Sequence, residues 1–126
     1  MKRETGFTLI SVLIAVVLLS IGVMAVAGTT GAVVAAHTKA STKTVALSIA
    51  RSYLEEVRGR EPVDLTTEGA VQVDETGAPS GTGIFTRSMI VTDVARNLKE
   101  VRVTVDYPRA AAPTELVTLA FVGLAQ

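Results

Sequence analysis

The chain has 126 residues, 48% of them hydrophobic, and its 12 basic and 12 acidic side chains cancel to no net charge. That length gives room for one small domain, and the charge balance gives no broad basic face for nucleic acid. No cysteine is present, which excludes disulfides, thiolate metal sites and a cysteine nucleophile without fixing the compartment.

Composition is uneven along the chain. A polar leader, Met1 to Gly6 with Lys2 and Arg3, precedes a run from Phe7 to Ala36 without one charged side chain. That run exceeds the roughly twenty residues needed to span a bilayer. Twelve Leu, Ile and Val residues between Leu9 and Val26, at about −0.3 to −0.6 kcal/mol each, favour insertion by roughly −4 to −7 kcal/mol before polar and glycine costs. Lys2 and Arg3 favour a cytoplasmic N-terminus, although Lys39 and Lys43 stand just past the other end. Three readings follow from these residues. One is a secretory signal peptide cut after Ala27, with Ala25-Val26-Ala27 as the small-residue site. Another is a single-pass anchor that never polymerises. The third rests on the junction at Gly6.

From Gly6 to Ala15 the sequence reads GFTLISVLIA, which resembles the GFTLIEVLIA signal of type IV pilins and type II secretion pseudopilins. The resemblance implies a prepilin cut between Gly6 and Phe7 by a prepilin peptidase and N-methylated on Phe7. It also implies assembly with other pilin or pseudopilin subunits in a hetero-oligomeric filament, through Phe7, Leu9, Ile10, Ser11, Leu13, Ile14 and Val17. Localisation would be inner-membrane, in contact with lipid, and then extracytoplasmic. The filament would be that of a type IV pilus, a competence-related DNA-uptake system or type II secretion. Ser11 departs from the family pattern, where glutamate balances a neighbour's N-terminal amine. A serine supplies a hydrogen bond but no charge, which by resemblance suggests a minor subunit at a tip or sparse position. The blander expectation is that Ser11 bonds a carbonyl one turn back. Gly22, Gly28 and Gly31 each lower helix propensity by about 1 kcal/mol relative to alanine. They suit close helix approach or a stretch that loosens on leaving the bilayer.

Residues 37–60 continue the helix. Ala46, Ile49, Ala50, Tyr53, Leu54 and Val57 recur at spacings of three and four, as one apolar stripe requires. Arg51 with Glu55, and Glu56 with Arg60 if the helix passes Gly59, form i,i+4 pairs. Gly59 and Pro62 mark the stop. No proline interrupts Phe7 to Arg58, so one helix of about fifty residues, roughly 75 Å long, is expected.

Residues 61–126 read as a small β-rich domain. Val71 and Val73 suit a short strand, and Thr76 to Gly83 a turn cluster with poor local order. Its glycines lack the following Lys-Ser or Lys-Thr and the strand-to-helix setting of a phosphate loop. Ile84 to Thr92 is the next strand, with Phe85, Met89 and Val91 on one face and Arg87 interrupting it. Val101, Val103, Val105 and Tyr107 alternate with Arg102, Thr104 and Asp106, and Leu116 to Val122 is the last strand. Asn97 suits a left-handed turn position between the middle two. The expected class is α+β and pilin-like: one long N-terminal helix, its first half membrane-spanning, on an antiparallel sheet of about three to four strands.

Catalytic and metal chemistry finds no support. His37, the one histidine, sits where an interfacial polar residue is expected. It has no co-ligands at a convincing spacing. Glu55 and Glu56 are adjacent on a helix and diverge, and Asp74-Glu75 alone is poor for calcium. The expectation is a non-enzymatic protein with no catalytic residue, no metal and no cofactor.

Overall fold

The computed structural model describes residues 6–123; the leader residues 1–5, with Lys2 and Arg3, lie outside the described residues. Helix α1 runs from Leu9 to Arg58, 50 residues. The chain divides into two compact units, Met1–Thr38 and Lys39–Gln126.

In the second unit a short 3-10 turn, Pro62–Asp64, leads to four strands: β1 (Glu68–Val73), β2 (Phe85–Ala95), β3 (Leu98–Asp106) and β4 (Thr114–Phe121). They form an antiparallel meander in the order β1-β2-β3-β4. The fold class is therefore α+β, one long N-terminal helix with a four-stranded antiparallel sheet. The six stripe residues Ala46, Ile49, Ala50, Tyr53, Leu54 and Val57 are the buried residues of α1. They meet Val73, Phe85, Met89, Val101, Val103, Val105 and Tyr107 in one core. Period 3.6 on the helix and period 2 on the strands thus converge on a single apolar layer. The face of the sheet turned away from the helix carries Glu100, Arg102 and Glu115, with Arg102 bridging both carboxylates at 3.0 and 2.9 Å.

Several local expectations change. Glu55 pairs with Arg58 at 2.7 Å, one turn ahead, rather than with Arg51. Arg60 reaches Glu56 at 2.8 Å although α1 has ended, because the turn after Val57 still curls back through the Arg60 amide on the Val57 carbonyl. The Thr76–Gly83 cluster is well knit. Oδ1 of Asp74 accepts from the Thr76 amide, the Thr76 hydroxyl and the Ala78 amide at 2.9, 2.6 and 3.1 Å, an Asx turn that supplies the order glycine content alone did not suggest. Asn97 keeps a negative φ; among the described residues the non-glycine with positive φ is Arg109. A register shift between Asp93 and Ala95 gives the β2–β3 hairpin its twist instead.

Candidate functional site

Every residue singled out for assembly lies in the first unit. Gly6, Phe7 and Thr8 precede the helix, and Phe7 is 90% exposed. Among the described residues a Cβ on Gly6 would touch nothing within 4 Å, so their packing does not require glycine there. The Gly6–Phe7 bond is therefore an open, non-helical junction directly before a helix.

Thr8 starts α1 as its N-cap. Its carbonyl accepts from the Val12 amide at 3.3 Å and its side-chain oxygen from the Ser11 amide at 3.4 Å, satisfying donors that no earlier turn can reach. Oγ of Ser11 then shares a 2.9 Å hydrogen bond with Oγ1 of Thr8. Ser11 occupies the position where a capping box carries glutamate, and its hydroxyl is held by the cap rather than by a carbonyl one turn back. The first turn contains no acidic residue. The positive end of the helix dipole thus stands beside Phe7 with no carboxylate of its own chain in that turn.

Leu9, Ile10, Leu13, Ile14 and Val17 are all exposed, as is the rest of the segment up to Ala40. The helix contains an eighteen-residue window of mean hydropathy 3.0, none of it buried within the chain, so it is long and apolar enough to cross a membrane. Its hydroxyls are turned onto its own backbone: Ser20 donates to the Val16 carbonyl at 2.8 Å, and Thr29 and Thr30 both donate to Val26 at 2.9 Å. Cβ atoms on Gly22, Gly28 and Gly31 would meet nothing within 4 Å. Nothing among the described residues demands those glycines.

Residues 1–27 match the family model of the prokaryotic N-terminal methylation motif. The chain carries a type IV pilin leader. No curated protein and no solved structure matches it. The leader, with an apolar helix behind it long enough to cross a membrane, fits a membrane-anchored prepilin. It implies processing by a prepilin peptidase and assembly with other pilin-type subunits.

The second unit holds a polar cluster that sequence reading did not assemble. Tyr53 on α1 donates its hydroxyl to Oε2 of Glu68 on β1. Arg60 bridges Glu68 at 2.6 Å and Glu56 at 2.8 Å. Arg87, which interrupts an apolar face in the sequence, sets its guanidinium carbon over the Tyr53 ring, 3.6 Å from the centroid, and donates to the Gly77 carbonyl at 3.1 Å. Cation–π contact with a partly desolvated ring explains how an arginine sits on the inner face of a strand. The Tyr53 hydrogen bond, followed by Arg60, holds the Glu68 carboxyl below its ordinary range, while burial and then Glu68 push the Tyr53 phenol up. Among the described residues no group of three or more His, Cys, Asp or Glu side chains is placed to hold a metal. His37 is exposed on the helix.

Proposed function

We propose that this protein is a minor pilin or pseudopilin, a non-enzymatic structural subunit of a type IV pilus-like or type II secretion filament. It is inserted in the inner membrane as a single-pass prepilin, cut between Gly6 and Phe7, N-methylated on Phe7 and moved into an extracytoplasmic filament. Residues Phe7, Leu9, Ile10, Ser11, Leu13, Ile14 and Val17 make contacts with other subunits there. The observation that carries this reading is the open Gly6–Phe7 junction set directly before an apolar, unburied helix within a methylation-motif leader.

The first turn supports the rarer, minor role. With Ser11 tied to Thr8, this subunit contributes no carboxylate to a neighbour's amine, while its own Phe7 amine requires one. Such a subunit accepts a neighbour on one side only, which suits a filament end.

Mass spectrometry of the mature N-terminus from membranes of a cell with a prepilin peptidase tests the assignment. An N-methylated Phe7 terminus is expected. A start at Gly28 would mean a secreted domain, and an intact Met1 a plain anchor; either result overturns the proposal.

A further inference from the structure

The sheet has two edges of different character. β1 is interrupted by a register shift between Glu68 and Val71, and its end is bridged by Pro79. β4 pairs with β3 in unbroken register from Thr114 to Phe121 and is last in the strand order. It has no proline, no lysine and no bulge along its length, the devices by which natural sheets keep a free edge from pairing. Leu119 and Phe121 on it are 58% and 67% exposed.

Beside this edge lies a groove of about 290 Å³ between β4 and the C-terminal end of α1. Its floor is the core itself, with Val57, Leu65 and Val101 among the lining residues. Arginines 58 and 60 line it, and among the described residues no carboxylate does. Arg60 is already held by Glu56 and Glu68. Arg58 is not so bound: its side chain is 53% exposed, with a one-turn contact to Glu55 and a 3.4 Å bond to the Thr118 hydroxyl on β4. An exposed pair of that kind is weak and readily exchanged.

We propose that β4 and this groove receive an extended segment of a partner protein, added as a fifth antiparallel or parallel strand and bearing an apolar side chain with a carboxylate two residues away. Backbone groups of β4 supply the pairing, as in strand addition generally. The spacing follows from the strand period. Side chains two apart share a face, so an anchor in the groove sets the second residue beside Arg58, on the face where Thr118 meets it. The cationic rim selects the acidic partner. The surface lies wholly within the domain of residues 39–126, so the proposal does not depend on the filament reading.

The test uses the full chain in detergent micelles and a peptide carrying fluorescein on its N-terminal amine, fluorescein-Thr-Thr-Leu-Thr-Glu-Thr-Thr-amide, read by fluorescence anisotropy. The expected result is binding about tenfold tighter than that of the Lys-for-Glu peptide, loss of binding when alternate peptide nitrogens are methylated, and reversal of the charge preference in Arg58→Glu. Ile90→Ser, on the opposite face of the sheet, leaves binding unchanged. Far-UV circular dichroism checks that both variants fold. Equal binding of the two peptides, indifference to N-methylation, or no binding at millimolar peptide overturns the proposal. So does concentration-dependent self-association of the chain that excludes the peptide, which would assign the edge to a second copy.

Discussion

Tyr53→Phe removes one oxygen from the cluster that ties α1 to β1, and its effect on acid stability can be worked out. The ring, its burial and its stacking with Arg87 survive; only the bond to Glu68 is lost. A hydrogen bond to a charged group contributes about 1.5–3 kcal/mol when well shielded. The Glu68 side chain is 37% exposed and retains Arg60, so solvent screening brings the expected loss to ~1 kcal/mol at neutral pH. For a domain of this size that is a fall in Tm of about 4–8 °C. The sign of the pH dependence follows from the direction of the shift. The folded-state pKa of Glu68 is depressed, chiefly by Tyr53. Its stabilising contribution is therefore full above the unfolded value and is lost as pH falls through the folded one. Tyr53, whose pKa is raised, stays neutral throughout this range. Tyr53→Phe lets the Glu68 value rise toward normal, so wild type and variant should differ near pH 7 and converge as pH falls below the ordinary carboxylate range and through the depressed folded-state value. Thermal melts by near-ultraviolet circular dichroism in detergent measure this. A gap between the two proteins that stays constant across the pH range would refute the role given to the Tyr53–Glu68 bond.

Other predictions follow from single positions. A Cβ on Gly83 would lie 2.1 Å from the Val73 carbonyl oxygen; Gly83→Ala should therefore cost about 1–3 kcal/mol of thermal stability, as overpacking does. Arg109 holds φ at 64° after Pro108, in a turn closed by the Ala110 amide on the Tyr107 carbonyl at 3.2 Å. Arg109→Gly relieves left-handed strain and should raise stability by about 0.5–1 kcal/mol in the same melts. Ser11→Glu should restore a carboxylate to the first turn and spread labelled subunits along filaments viewed by immunogold microscopy. Labels still confined to the ends would count against charge pairing as the cause. Gly6→Ala should block peptidase cutting on a gel-shift assay, since the open structure around Gly6 leaves recognition, not packing, as the reason for glycine.

The helix stripe and the alternation of β3 were legible because each buries one face on a fixed period, and the six helical residues and three valines named from the pattern are core residues. The leader was legible from a short, specific motif. What escaped reading was polar. Arg87 looked like a break in an apolar face because its partner, the Tyr53 ring, is distant in sequence. The order of the Asp74 turn depends on one side chain accepting three bonds, which composition does not encode. Ser11 is legible as a missing charge but not as part of a cap, because the motif gives Thr8 no capping role of its own. Asn97 suits a left-handed turn by propensity, yet it keeps a negative φ next to a register shift between Asp93 and Ala95.

The hydroxyls folded onto the helix backbone at Ser20, Thr29 and Thr30 bear on reversibility. In lipid, apolar helices gain little from one another by desolvation alone, and interhelical polar bonds supply much of what makes an association lasting. This segment has already spent those hydroxyls on itself. In the proposed filament, a segment whose Ser20, Thr29 and Thr30 hydroxyls already donate to its own carbonyls would gain little on passing from hydrocarbon to a sheath of similar helices. Net movement out of the bilayer must then be set by forces acting elsewhere, either work done on the subunit or contacts of its polar domain. An anchor of this kind is suited to being withdrawn as readily as it is deployed.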